Sequence, residues 1–373
     1  MMGKPDDLRE KRENESYLEY WKEESKRAQR LDVMTVQNQY KYAWNKLKKF
    51  SEKSGYEIEQ MGDSEVNEFC EFLEEEDISE RVAAGIIKKI DKVVGWLVNK
   101  NVADHNPYND YIKYFDIKQG SHETSKMEVP LDVLREKLQE AKSYSIELFV
   151  YLVLILKTGL RKSEAMNLDL RDIHLNHPIS KKMPEPRTEI YNIPDTLYVD
   201  SSITAREEAN GEIRQLGNKE KSSRKIPIDQ ELKDLLTLYV AMLPPSTSEA
   251  DPLLRQSKDP EARRIERTWI AKRVTRWARE HDLNSPEKKH FGVDSHWCRH
   301  WFTTILRSNI NDEDIPIGNA KDYVKGLRGD TGNDVIDTYS HEWESVKHED
   351  SKSYREIYEE SMPHLLTKVN NEK

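Results

Sequence analysis

The run Ile146 to Leu156 reads IELFVYLVLIL, with one Glu and otherwise only apolar or aromatic side chains. A helix that is apolar on every side must be surrounded by protein or lipid, and crossing a bilayer takes roughly 20 such residues. Eleven residues are too few. The run is therefore expected as the buried central helix of a helical domain, around which other elements pack. With 36% hydrophobic and 34% charged residues, the cores must be modest and the surfaces heavily ionised. Seventeen Tyr and eight Trp still provide large apolar bodies, which excludes a disordered composition.

Helical spacing organises most of the chain. Residues 1–30 are charged, with a short helical stretch at Tyr17, Leu18 and Trp21, and are expected as an N-terminal extension carrying no signal peptide. Residues 31–112 hold three helices. The first follows a candidate N-cap at Thr35, the second starts near Ser64, and the third starts near Ser79 and runs through Ile87, Ile90, Val94 and Leu97. Residues 113–129 lack a period and are expected to be a linker. Residues 130–350 form a second, mainly helical domain. Within it, Thr196–Ser202 and Arg224–Ile228 alternate like strands of a small antiparallel sheet, with a turn at Gly217 and Asn218 between them. Residues 351–373 form a tail with apolar positions at Tyr354, Ile357, Tyr358, Met362 and Leu365. The two cysteines, Cys70 and Cys298, sit in apolar helical patterns and are expected to be free and buried in a reduced, cytoplasmic protein.

A net charge of −10 argues at first against a polyanionic partner. Its distribution argues otherwise. Between Arg255 and Lys289 eleven Lys and Arg stand against six Asp and Glu, while acidic residues gather in Glu65–Glu80.

Three separated segments bring together cations and a phenol suited to a phosphodiester. The first, Thr158-Gly159-Leu160-Arg161-Lys162-Ser163-Glu164, ends the apolar helix at Gly159 and puts Arg161 at the break before a new helix. A guanidinium there can fork onto two phosphate oxygens. The second, His296-Trp297-Cys298-Arg299-His300, lies in a helix whose spacing puts His296 and Arg299 on one face, a proton-transfer group beside a phosphate clamp. The third is Leu327-Arg328-Gly329-Asp330, followed nine positions later by Tyr339, Ser340 and His341.

Together these segments resemble the tyrosine recombinase, or phage integrase, family across most of the chain. The first is similar to the family's T-G-L-R-x-x-E box and the second to its H-x-x-R-H box, with the nucleophilic tyrosine about 40 residues further on. The resemblance implies a mainly α fold: a helical, SAM-like core-binding domain, then a mostly helical catalytic domain with a small antiparallel sheet. It implies site-specific recombination of double-stranded DNA, as in integration or excision, through a 3′-phosphotyrosyl intermediate, with no ATP, metal or other cofactor. In that scheme Tyr339 attacks, Arg161 and Arg299 stabilise the phosphorane-like charge, His296 is the base, and a hairpin lysine protonates the leaving 5′ oxygen. Counting back from Pro227 favours Lys219 for that lysine, with Lys221 as the rival. Glu164 would orient the cationic centre.

One box departs from the family pattern. Asp330 stands where the family has His or Trp, so Arg328 or His341 is expected to supply the missing donor; the Leu-Arg-Gly-Asp variant resembles one seen among archaeal integrases of mobile elements. DNA contacts are expected from Arg81, Lys88 and Lys92 on one helix and from Lys272, Arg276 and Arg279 on another. The resemblance further implies two domains closing on the duplex, a homotetramer on DNA, accessory DNA-bending proteins, nucleoid association and no membrane. The tail would dock on a neighbouring subunit or on its own domain. A DNA-binding regulator or remnant that keeps the fold without strand exchange is the competing reading, motivated by Asp330 and the acidic net charge.

Overall fold

The structure is a computed structural model. It describes residues 17–30, 36–56, 58, 61–111, 127–204, 208–209, 212–214, 217–219, 222–255, 263–284, 292–311, 319–330 and 352–366. Tyr339, His341 and Lys221 lie outside the described residues, as does Thr35. The chain forms two compact units, Met1–Glu123 and Thr124–Lys373.

The first unit is helical: α1 (Tyr17–Glu24), α2 (Lys26–Arg30), a π-helical turn (Val36–Tyr40) running into α3 (Lys41–Ser54), then α4 (Asp63–Glu75) and α5 (Glu80–Asn99). Each helix is apolar on one stripe, and the stripes meet in one core. Ala43, Trp44, Leu47 and Phe50 of α3 face Val66, Phe69 and Leu73 of α4 and Ile87, Ile90 and Val94 of α5. The stretch expected as an extension adds to this core: Leu18 and Trp21 are buried, and Trp21 stacks on Tyr40 at 4.6 Å between ring centroids. Cys70 is free and buried here, and burial pushes its thiol up to about 12.

The second unit packs around α7 (Ile146–Thr158), preceded by α6 (Leu131–Tyr144). As the apolar run requires, every residue of α7 from Glu147 onward is buried. After α8 (Lys162–Asn167) come β1 (Ile173–His174), β2 (Thr196–Val199), β3 (Glu208–Ala209), β4 (Glu212–Ile213) and β5 (Arg224–Pro227). The expected pair is present, with Leu197 opposite Ile226 and Val199 opposite Arg224 in antiparallel register. Two features were not expected. β1 adds a third strand to give the order β1-β2-β5, and a separate β3–β4 hairpin interrupts the connection between β2 and β5. The remaining helices are α9 (Gln230–Met242), α10 (Arg267–Glu280), α11 (Ser295–Asn309), α12 (Ala320–Arg328) and α13 (Tyr354–Ser361).

α13 and the segment after it lie on their own domain. Tyr354, Ile357, Tyr358, Met362 and Leu365 join the core of the second unit. A buried polar network fixes them there. The Lys157 ammonium, fully buried at the end of α7, donates to Asp229 at 2.6 Å and to the Pro363 carbonyl at 2.9 Å, and pairs with Glu231 at 2.9 Å. Glu231 accepts from the backbone amides of Leu365 and Leu366, and the Tyr358 hydroxyl donates to the Lys157 carbonyl. Removing one partner of such a network leaves buried charge uncompensated. Lys157→Ala is expected to cost about 3–5 kcal/mol in urea denaturation, and to expose the segment after Ser353 to limited proteolysis before the rest of the unit.

Candidate active site

Arg161 and Arg299, 138 positions apart, meet at one place because two helices stop beside it. α7 ends at Gly159, whose φ of +62° is the left-handed conformation that favours glycine. A Cβ at this position would also run into the Phe302 ring of α11. The close approach of α7 and α11 therefore depends on glycine, and it lets Arg299 donate to the Gly159 carbonyl. α12 ends in the same way at Gly329, with φ +64°. Its carbonyls turn outward: Leu327 O accepts from Arg224 Nε at 2.6 Å, and Arg328 O accepts from Arg299 Nη2 at 2.8 Å.

Glu164 sits beneath the arginines, fully buried. It accepts from the Arg161 amide at 2.8 Å and from Arg161 Nη1 at 2.6 Å, and it forms a forked pair with Arg224, at 2.8 and 3.2 Å. Arg299 Nη1 stands 4.0 Å away. Burial alone would raise this carboxyl; the Arg224 and Arg161 charges and hydrogen bonds overcome it and hold the group down at about 2. Arg299 shows the opposite balance. Burial, then the neighbouring Arg161 cation, draws it down to about 9.

The exposed face of this cluster opens into a cleft of about 430 Å³. Arg161, Lys162, Asp294, Ser295, His296, Arg299, Arg328 and Asp330 line it, with Ala271, Val274 and Thr275 of α10 on one wall. His296 is exposed, and its Nε2 is 2.9 Å from Nε2 of His300, so one ring must donate and the other accept. Asp330 faces the cations. Its Oδ1 accepts from both Arg161 Nη2 and Arg299 Nη2, the latter at 2.9 Å, and its Oδ2 pairs with Arg328 Nη2 at 2.9 Å.

Lys219 does not line the cleft. It is exposed, just ahead of β5, and its carbonyl accepts from the Ser222 hydroxyl at 2.5 Å. The neighbouring residue is nonetheless anchored: Asn218 accepts from Asn167 at 3.0 Å and donates to the Asp200 carbonyl at 2.7 Å. Arg214 and Arg264 both bond to buried Asp169, directly after α8. Among the described residues Lys162 is the lysine that does line the cleft, and burial, then Arg267, lowers its pKa.

Among the expected DNA contacts, Lys272 and Arg279 are exposed on α10, while Arg276 is tied to Glu280 at 2.7 Å. Arg273 lies over the Trp269 ring, 4.8 Å from its centroid. On α5, Arg81 and Lys88 are exposed. Lys92 is half-buried, and burial, followed by the Arg27 and Lys88 cations, lowers its pKa. Arg224 was missed as a site residue. Its signal was strand alternation, since Arg224 and Ile226 share the inward face of β5.

The second unit, preceded by a unit of packed helices, has the fold of the tyrosine-recombinase integrases. Residues 16–120 match the phage integrase SAM-like domain family. The chain is similar to the solved Tn1549 transposon integrase in complex with transposon right end DNA, at 14% identity and TM-score 0.55, over 87% of this chain and 93% of that one. It is similar to a lambda integrase dimer bound to a COC′ core site, at 12% identity and TM-score 0.53, over 92% and 98%. It is also similar to a lambda integrase tetramer bound to a Holliday junction, at 13% identity and TM-score 0.53, over 92% and 84%. No curated protein matches the sequence.

The depressed Glu164 carboxyl has a consequence for stability. Its folded pKa lies below its unfolded value near 4.5, so its contribution is complete above that value and is lost as pH falls toward about 2. Glu164→Gln is expected to lower unfolding free energy by about 3 kcal/mol at pH 7. The gap between variant and wild type should shrink in denaturation series taken from pH 5 downward.

Proposed function

We propose that the protein is a site-specific DNA recombinase that cleaves and rejoins duplex DNA through Tyr339. The observation that carries this reading is the convergence of Arg161 and Arg299 on one acceptor at the edge of an open cleft. Two guanidiniums aimed at one small anion suit the equatorial oxygens of a phosphorane, where charge grows during attack. Nine residues after Asp330 in sequence comes Tyr339, the candidate nucleophile.

A tyrosine hydroxyl ordinarily ionises near pH 10, so it needs a base and nearby cations. His296, in the cleft and sharing a hydrogen bond with His300, is the candidate base. Attack forms the bond from the Tyr339 oxygen to phosphorus and breaks the bond from phosphorus to the 5′ oxygen, which takes a proton from a general acid. Lys219 is assigned that role by resemblance, and Asn218 tethers its backbone to the segment that follows Arg161. A 5′-hydroxyl of a second duplex then attacks the phosphotyrosyl phosphorus and gives its proton to the former acid. Tyr339 is released and takes back its proton from the former base, so the strands are exchanged. The bond energy stays in the phosphotyrosyl link, so neither ATP nor a metal is needed. A homotetramer on double-stranded DNA follows from the need to hold two duplexes together, and lambda integrase has been solved as a tetramer on a Holliday junction.

The test is a nicked duplex bearing the recombination junction of the host element, which traps the covalent intermediate. The protein should form a denaturant-resistant adduct with DNA, and Tyr339→Phe should form none. Binding without any adduct would instead favour a regulator that keeps the fold. The acid can be identified separately. Lys219→Ala should lose roughly 10²–10⁴-fold in cleavage, and should recover on a substrate with a 5′-bridging sulfur, whose departure needs no proton. Recovery by Lys162→Ala instead would assign the role to the cleft lysine.

A further inference from the structure

Among the described residues Asp330 is the one anion in contact with all three cleft arginines, and the way it is held resembles a bound ligand. One oxygen takes hydrogen bonds from Arg161 and Arg299, and the other pairs with Arg328. The two non-bridging oxygens of a phosphodiester present the same spacing of charge and the same demand for forked donors. A phosphate cannot take those donors while the carboxylate holds them, and the two anions side by side would repel.

Charge in the cluster is consistent with a stand-in. Arg161, Arg224, Arg299 and Arg328 converge here, and among the described residues Glu164 is the only other carboxylate bonded to them. Even with Asp330 in place, burial and the Arg161 cation keep Arg299 well below an ordinary arginine. Among the described residues four guanidiniums meet two bonded carboxylates, and a phosphodiester would bring the same single negative charge that Asp330 brings. The side chain is also free to leave. The Asp330 backbone amide is fixed to the Lys325 carbonyl at 3.1 Å beyond the end of α12, and the carboxylate is 27% exposed. Rotation about its own bonds can vacate the clamp without moving the helix.

We propose that Asp330 is an internal occupant of the phosphate clamp, which holds Arg161, Arg299 and Arg328 together in the DNA-free protein and is displaced when a phosphate binds. This rests on the phosphate-binding role given to Arg161 and Arg299 above. Phosphate entry is then an exchange of anions rather than the filling of an open site. Free phosphate should compete poorly, whereas a DNA phosphate held by the rest of the duplex should win.

Titration of the full-length protein with inorganic phosphate, by calorimetry or by ³¹P line broadening, tests the idea without any need for the recombination sequence. Asp330→Asn and Asp330→Ala are expected to bind phosphate about tenfold tighter than wild type, a modest share of what close like charges cost, because the site is partly open to solvent. Arg161→Ala should abolish the gain in the Asp330→Asn background. Thermal melts of each variant verify folding. Equal or weaker phosphate binding by both Asp330 variants would overturn the proposal, because it would make Asp330 a neutral or supporting member of the site. So would a failure of every form to bind phosphate, which would also count against a phosphate clamp. Adduct formation by the wild type with nicked DNA is read independently, so recombinase activity can stand if the displacement model fails.

Discussion

One buried carboxylate makes the cationic centre feasible. Glu164 has no exposure, and its two oxygens are shared between Arg161, from the break after α7, and Arg224, from β5. Arg299, from α11, stands at the edge of its reach. Bringing three guanidiniums this close in a partly desolvated place is unfavourable without an anion among them. Glu164 supplies it from below, which leaves the outward faces of Arg161 and Arg299 directed at the cleft. Its complete burial excludes a role as a surface helix charge.

A second source of negative potential is the backbone. α7 and α12 both end at the cluster, and the last turn of a helix carries unsatisfied carbonyls and the negative end of its dipole. Here those carbonyls face cations: Gly159 O and Arg328 O accept from Arg299, and Leu327 O from Arg224. The glycines after each helix are part of the same arrangement. At Gly329 the chain is left-handed, and an added Cβ would stand 2.8 Å from Arg224 Nη1. The chain must turn away at this point without a side chain, or the arginine loses its seat.

What the sequence revealed follows from the range of each signal. α7 was legible because no polar face interrupts it, and α3, α4 and α5 because their stripes recur over three or more turns. The β2–β5 pair was legible from alternation. β1, β3 and β4 are two residues each and carry no measurable period. The contribution of α1 to the first core was hidden because the helix is only eight residues long and buries just Leu18 and Trp21 completely. The arginine positions could be read because their boxes are local patterns, but their partners are distant. Arg224 and Glu164 are 60 positions apart, and Arg161 and Asp330 are 169 apart. No window along the chain contains such pairs.

The net charge of −10 is compatible with phosphate recognition, because two acids at the site are paired with arginines and a third, Asp294, caps the first turn of α11 by accepting from the Trp297 amide. Glu164 and Asp330 are bonded to arginines, so they cancel charge locally instead of presenting it to a ligand. The same pairing bears on the Asp330 departure from the family's pattern. An acceptor stands where the resemblance implies a donor, but Arg328, two residues earlier, brings a guanidinium into the cleft. Arg328 uses Nη2 on Asp330, and its buried Nε has no partner among the described residues. If the carboxylate swings out, Arg328 regains its Nη2 donor and a phosphate meets Arg161, Arg299 and Arg328 together. On the displacement proposed above, Arg328 is the donor held in reserve, two residues before Asp330.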